Sequence, residues 1–130
     1  MTEAEIYNAI GEEGFAKLIH AFYAQVPGDS ILGPMYPADD LAGAEQRLRD
    51  FLIGRFGGPM RYVEQRGHPR LRMRHARFEV DLDASHRWME LMRRALDQAC
   101  FSAEVREVIE PYFEQTAASM INRMPNNSSQ

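Results

Sequence analysis

Apolar residues recur at helical spacing along almost the whole of this 130-residue chain, and no long alternating run of apolar and polar residues competes with that pattern. In a helix with about 3.6 residues per turn, such spacing gathers the apolar side chains on one face. The clearest example is the stripe formed by Phe15, Leu18, Ile19, Phe22 and Val26. The pattern predicts an all-α fold.

Turn residues divide the first part of the chain. Thr2 and Glu5 predict a capping box for a short first helix, and Gly11 is expected to end that helix. The connection 31–40 is interrupted by glycine and proline, so Tyr36 is expected in a loop or in a single helical turn.

The next helix is predicted over about Leu41 to Arg55, and Gly57 has the chemistry of a left-handed helix cap. Residues 60–69 are expected to form a polar, charged connection. The residues predicted to face inward from this helix are Leu41, Ala44, Leu48, Phe51 and Leu52.

Two helices are predicted in the last third of the chain. The first runs from Asp83 to Cys100, and the second begins after the cap residue Ser102. Pro111 falls within the second pattern, and we expect it to bend or split that helix because proline lacks the backbone N–H. The inner stripe of the first helix consists of Trp88, Met92, Ala95 and Ala99.

Length and composition predict one domain over residues 1–124 with a frayed tail at 125–130. A net charge of -4 does not favour nucleic acid or an anionic membrane. The acidic N-terminus does not resemble a secretory signal, and no apolar run is long enough for a membrane span, so we expect a cytoplasmic protein. Cys100 is the single cysteine, which excludes an internal disulfide and a covalent haem attachment; we expect it to be a small buried hydrophobe.

His75 lies among four arginines in the segment 67–78, behind Pro69. On a helix its imidazole can reach a metal while the neighbouring guanidinium groups reach carboxylates. Haem presents both chemistries, because its iron needs an axial ligand and its propionates need cationic partners. His20, His68 and His86 are more typical of surface positions. Arginine runs are usually solvated faces, so this segment alone is a weak indication of haem.

The order of elements, taken together with five motifs, resembles the truncated haemoglobins, and more closely their group II, from the first helix to about Met124. That family folds as a 2-on-2 helical sandwich around haem b. The motifs are Phe22-Tyr23-Ala24-Gln25-Val26, Met35-Tyr36-Pro37 with Asp39 to Glu45, Phe56-Gly57-Gly58-Pro59, Gly67-His68-Pro69 through His75-Ala76-Arg77-Phe78, and Trp88.

The resemblance implies a role for each matching residue. His75 looks like the proximal iron ligand, Tyr23, Tyr36 and Trp88 look like the polar lining of the ligand side, and Ala44 and Leu48 look like its apolar wall. Arg72 or Arg74 is expected to pair with a propionate, with Tyr62 as a further hydroxyl donor. Phe51 and Phe78 complete the expected haem contacts.

Hydrogen-bond donors near the iron favour O2 over CO, because the outer oxygen atom of bound O2 carries partial negative charge. Tyrosine supplies a hydroxyl and tryptophan an indole N–H. If each hydrogen bond contributes about 1–1.5 kcal/mol, two bonds slow ligand loss on the order of 30-fold. Tight O2 binding with slow release suits a scavenger, a sensor or a redox catalyst, and CO, NO, cyanide and sulfide are further expected ligands.

Other interpretations remain open at this point. The same haem could act as an enzyme, as an NO dioxygenase with a separate reductase or as a peroxidase. A haemless helical binding module is a third interpretation, supported by eight methionines that suit an adaptable apolar surface. Trp88 and Tyr23 also fit a plain apolar core, and Tyr36 a loop anchor. The protein is expected to be a monomer or a homodimer.

Overall fold

The computed structural model describes residues 1–36, 38–66 and 81–121, and the regular structure within these ranges is helical throughout. Short 3-10 helices cover Glu3–Glu5 and Gly33–Met35. The α-helices are α1 (Ile6–Gln25), α2 (Leu41–Arg55), α3 (Arg61–Arg66), α4 (Leu82–Ala99) and α5 (Ala103–Ser119). The prediction of an all-α fold is confirmed. In the described part of the chain, no helix combines the length and apolar character needed to cross a membrane.

Helix α1 lies at the centre of the fold and packs against both α2 and α4, while α4 packs against α5. Helices α1 and α4 therefore pack together at the centre, with α2 on the outer side of α1 and α5 against α4. The largest side chains of the shared core are fully buried phenylalanines, and each contributes roughly 1.5–3 kcal/mol relative to an exposed position. They are Phe15, Phe22, Phe56 and Phe113.

The N-terminal segment has the predicted cap and the predicted break. The Glu5 carboxylate accepts hydrogen bonds from the backbone N–H of Thr2 at 2.7 Å and from its hydroxyl at 3.1 Å. Gly11 adopts φ 66° and ψ -177° inside α1, which a side chain would strain. Helix α1 is thus two helical pieces joined across a kink at Gly11, as the sequence predicted.

The C-terminal end of α2 packs closely against the N-terminal segment of the chain. Gly57 has φ +100°, and a Cβ atom there would lie 2.1 Å from the carbonyl oxygen of Ala4. The N–H of Tyr7 donates to the carbonyl of Phe56 at 3.0 Å. Glycine is needed at position 57 for both its backbone angle and this close approach.

The prediction of a polar connection over residues 60–69 is wrong for residues 61–66, which form helix α3. Tyr62 explains the difference, because it is 5% exposed and its ring meets that of Phe51 with centroids 5.8 Å apart. The buried Tyr62 ring packs this largely polar segment against α2, and sequence periodicity does not reveal such a contact.

Pro111 does not split the last helix. Helix α5 runs without interruption from Ala103 to Ser119, and Ile109 and Phe113 on either side of the proline are 0% and 1% exposed. Proline removes only one backbone hydrogen bond, and the burial of its neighbours holds both halves of the helix. The Ser102 hydroxyl accepts from the Val105 N–H at 3.3 Å, which confirms the predicted cap.

Helix α4 differs from its prediction at both ends. It begins at Leu82, because the Asp81 carboxylate caps it by accepting from the Ala84 N–H at 2.9 Å. It ends at Ala99, and Cys100 is exposed with φ 57°. The prediction that Cys100 is buried is wrong, because a left-handed residue after the helix turns the chain away from the buried stripe.

Candidate functional site

A cavity of about 190 Å³ lies between α1, α2, α3, α4 and α5. Every predicted site residue in the described part of the chain lines it. These residues are Tyr23, Tyr36, Ala44, Leu48, Phe51, Tyr62 and Trp88. The remaining predicted residues, His75, Arg72, Arg74 and Phe78, lie outside the described residues.

Tyr23 comes from α1 and is 7% exposed. Its ring meets that of Phe22 edge to face, with centroids 5.3 Å apart. Burial raises the pKa of the Tyr23 hydroxyl far above its ordinary value, while the positive charge of Arg47 acts in the opposite direction. The phenol therefore remains protonated and able to donate a hydrogen bond at any physiological pH.

Tyr36 follows the 3-10 helix Gly33–Met35 in an extended backbone conformation, as the sequence predicted. Its ring meets that of Tyr23 edge to face at 5.5 Å. Burial raises the pKa of the Tyr36 hydroxyl to about 12, and a hydrogen bond from Trp88 acts against that rise. Because the indole N–H is only a donor, the Tyr36 oxygen accepts this bond and the Tyr36 hydroxyl hydrogen is left to point elsewhere.

Trp88 comes from α4, and aromatic rings from two other helices hold it. The ring of Phe22 on α1 lies 5.4 Å from it, and that of Phe113 on α5 lies 5.8 Å from it. Such contacts fix the direction of the indole N–H. Tyr23, Tyr36 and Trp88 thus form one contact cluster, which we call the polar cluster.

The wall that α2 contributes is apolar. Ala44, Leu48 and Phe51 share one helix face and are half-buried against the core. All three line the cavity, which accounts for this incomplete burial. Tyr62 extends the same wall from α3 through its contact with Phe51.

Sequence reasoning missed several lining residues. Arg47 lies on the same face of α2 as Ala44 and Leu48, so helical spacing alone could have identified it. Leu32 and Met35 precede Tyr36 in the connection before α2. No sequence signal marks the last group, because it lines the cavity only where the start of α4 meets the end of α5: Ala84, Ser85, Thr116, Ala117 and Met120.

Two of the four histidines, His20 and His86, lie in the described part of the chain. His20 is on the surface of α1, where its Nδ1 lies 3.1 Å from the Glu45 carboxylate, and its side chain is 74% exposed. His86 is exposed on α4, and neither residue lines the cavity. Both were predicted to be surface residues, and that is confirmed. Within residues 1–36, 38–66 and 81–121, no group of three or more metal-ligating side chains is gathered.

Comparison with known proteins identifies the class. A model of the bacterial-like globin family matches residues 5–122, so the chain belongs to the bacterial-like globins. The chain is 36% identical to the group 2 truncated hemoglobin YjbI of Bacillus subtilis over 117 residues, covering 90% of this chain and 88% of that protein. The predicted resemblance to group II truncated haemoglobins is confirmed.

Solved structures agree with this assignment. The hemoglobin of the thermophilic phototrophic bacterium Chloroflexus aurantiacus is 44% identical, with a TM-score of 0.87 over 91% of this chain and 98% of that one. The truncated oxygen-avid haemoglobin of Bacillus subtilis is 36% identical, with a TM-score of 0.85 over 90% of this chain and 98% of that one. The predicted truncated globin fold is confirmed, and family membership makes this a haem-based protein for small ligands such as oxygen.

Proposed function

We propose that the chain binds haem b through His75 and retains O2 in the cavity by hydrogen bonds from the polar cluster of Tyr23, Tyr36 and Trp88. The single observation that carries this proposal is the convergence of that cluster with the apolar wall of α2 on one cavity. When bound, haem supplies an iron with an open position for a small ligand.

The residues that line the cavity are suited to haem for two reasons. Ala44, Leu48 and Phe51 offer an apolar surface suited to a porphyrin face. Neither His20 nor His86 reaches the cavity, which favours an iron ligand from the segment 67–80 that contains His75. Arg72 or Arg74, together with the Tyr62 hydroxyl, is proposed to hold the haem carboxylates, because guanidinium groups match carboxylates in charge and geometry.

Tyr23 and Tyr36 act as donors to the ligand, and Trp88 acts through the Tyr36 hydroxyl. The hydrogen bond from Trp88 orients the Tyr36 hydroxyl, and the edge contact with Tyr23 supports the Tyr36 ring. Both phenols stay protonated because burial raises their pKa values. Two donated bonds of about 1–1.5 kcal/mol each slow O2 release on the order of 30-fold or more. The description of the Bacillus subtilis relative as oxygen-avid agrees with this expectation.

Absorption spectra of the protein produced with adequate haem test the proposal. The ferric, dithionite-reduced and CO-treated states are compared for the parent, His75→Ala and the surface control His20→Ala. We expect a Soret band that shifts with CO in the parent and in His20→Ala, and loss of that band in His75→Ala. A band that His75→Ala leaves unchanged would assign the iron ligand to another residue. A folded parent without any Soret band would refute haem binding.

Turnover is measured on the same samples. A redox function of this haem predicts reaction with peroxide, or with NO and a reductant, above the rate of free haem, and loss of that reaction in His75→Ala. Rates equal to those of free haem leave ligand binding as the function.

A further inference from the structure

Asp29 lies in the connection that leads from α1 to the 3-10 helix Gly33–Met35, and its carboxylate makes contacts in two directions. Its Oδ2 atom accepts hydrogen bonds from the backbone N–H groups of Ile31 at 3.1 Å and of Leu32 at 2.8 Å. Its Oδ1 atom lies 3.1 Å from Nε of Arg87 on α4. The Asp29 side chain is only 9% exposed, and a carboxylate so covered is stable only when such partners replace water.

The contacts of Asp29 lead to two members of the polar cluster. On one side, the Asp29 carbonyl accepts from the Gly33 N–H at 2.9 Å, at the start of the 3-10 helix that leads to Tyr36. On the other side, Arg87 is the residue immediately before Trp88 on α4. The Asp29–Arg87 pair therefore connects the segment that carries Tyr36 to the helix that carries Trp88.

Gln25, the last residue of α1, holds α4 in place by an uncharged contact. Its side-chain amide donates to the Leu91 carbonyl on α4 at 2.9 Å and to the Ala21 carbonyl of its own helix at 3.1 Å. This contact does not depend on Asp29 or Arg87. Loss of the ion pair is therefore expected to release the connection after α1 rather than to separate the two helices.

We propose that Asp29 and Arg87 are positioning residues for ligand retention, whose ion pair holds the Tyr36 hydroxyl against the Trp88 indole and thereby keeps O2 release slow. This inference rests on the proposed haem function. A hydrogen bond weakens steeply when its donor moves out of line, so a small displacement of Tyr36 removes much of the effect of its hydroxyl. Salt screens a partly buried pair less than a surface pair, so the effect should persist at physiological ionic strength.

Arg87→Gln tests the proposal on the haem-loaded protein, because Arg87 lies outside the turn at Asp29 and does not line the cavity. We expect O2 dissociation, measured by displacement with CO, to accelerate roughly threefold, which is less than complete loss of one donated bond would give. CO association is expected to change less than about twofold, because CO offers a donor little negative charge. Asp29→Asn keeps an amide oxygen for the turn but loses the charge, and it should match Arg87→Gln.

Glu90→Gln is the matched control. Glu90 is the other ion-pair partner of Arg87, at 3.1 Å, and its own side chain is exposed on α4. The substitution removes an ion pair from the same guanidinium and leaves the contact with Asp29 intact. Because exposed ion pairs contribute little, O2 dissociation should stay within about 1.5-fold of the parent.

A second measurement reports on the contact itself. Trp88 is the only tryptophan of the chain, so NMR of the isotope-labelled, CO-bound ferrous protein gives a single indole N–H resonance. Tyr36→Phe removes the partner of that indole and supplies the reference spectrum. We expect Arg87→Gln to shift the resonance towards this reference and to speed exchange of the indole proton with solvent, and Glu90→Gln to change neither.

A double variant shows whether the pair acts through Tyr36. If it does, Arg87→Gln accelerates O2 release in the parent but has little further effect when Tyr36→Phe is already present. Acceleration that persists in that background would overturn the inference, as would equal O2 rates in the parent and Arg87→Gln. Lower stability in urea with an unchanged indole resonance would leave the pair a purely structural role. These outcomes keep the Soret band of the parent, whereas its absence would refute the proposed function and this inference with it.

Discussion

The ring of Tyr36 meets the ring of Tyr23 edge to face, with centroids 5.5 Å apart, although Tyr23 belongs to α1 and Tyr36 to the connection before α2. The Trp88 indole also interacts with the hydroxyl of the same residue and acts against the rise in its pKa that burial causes. Two helices therefore position a side chain whose own backbone is not helical. The positioning matters because a donor must be held in place before it can discriminate between ligands.

Removal of the Tyr36 hydroxyl should accelerate O2 release. Tyr36→Phe loses one donated bond, and we expect O2 dissociation to increase roughly fivefold to tenfold, measured by displacement with CO. Because the pKa of Tyr36 is about 12, the parent rate should not change through ionisation of this phenol between about pH 6 and 9. Tyr7→Phe is the control, since that hydroxyl donates to Glu12 on the surface at 3.0 Å. Equal rates for parent and Tyr36→Phe would exclude Tyr36 as a donor to the ligand.

Trp88 and Tyr36 should be energetically coupled. If Trp88 acts by orienting the Tyr36 hydroxyl, Trp88→Phe accelerates O2 release in the parent but has little effect when Tyr36→Phe is already present. The two single variants and the double variant form the cycle to be measured. Effects that multiply in the double variant would mean that the indole donates to the ligand directly.

Gly57→Ala should strongly destabilise the fold. The new Cβ would lie 2.1 Å from the Ala4 carbonyl in a backbone with φ +100°. We expect a loss of roughly 2 kcal/mol or more in the free energy of unfolding, measured with urea. Gly28→Ala is the matched control, since a Cβ there meets nothing within 4 Å. Equal stability of both variants would contradict the close contact between Gly57 and Ala4.

Glu110 should contribute to stability at neutral pH and lose that contribution in acid. Hydrogen bonds from Arg106 at 2.7 Å and from Arg93 at 3.1 Å hold the pKa of Glu110 below its ordinary value of 4.5. A carboxyl group whose pKa is lower in the folded state stabilises the fold above its unfolded pKa, and this stabilisation disappears as the pH falls through the folded pKa.

Glu110→Gln is therefore expected to cost about 1 kcal/mol at pH 7 and progressively less below pH 4.5, measured as the free energy of unfolding against pH. Glu107→Gln changes an exposed residue of the same helix and serves as the control. A difference between parent and Glu110→Gln that does not vary with pH would disprove the role of the carboxylate charge.

Cys100 should react in the folded protein. The residue is exposed at the end of α4, so a thiol reagent that releases a coloured product is expected to modify about one thiol per chain without denaturant. Cys100→Ser should abolish the reaction and retain the Soret band. If modification required denaturant, the thiol would be buried as its sequence context first indicated.

Several features of the fold could be predicted because they depend on local chemistry. Thr2 and Glu5 form the predicted cap, Gly11 breaks α1 through its positive φ, and Ser102 caps α5. Each requires only neighbouring residues. Two outcomes depended instead on distant contacts: Tyr62 is buried against Phe51, and the packing on either side of Pro111 keeps α5 from being split.

By itself, the sequence determined the helical periods, the caps and the identities of the donor residues, because these follow from residue type and spacing. Only the tertiary structure decided that Tyr23, Tyr36 and Trp88 share one cavity and that Arg47 lines it. Helical spacing specifies which side chains share a face, but it does not specify which faces meet. The packing of α1, α2, α4 and α5 determines which helix faces meet. Only in the packed structure do side chains that are distant in sequence come together and exclude water.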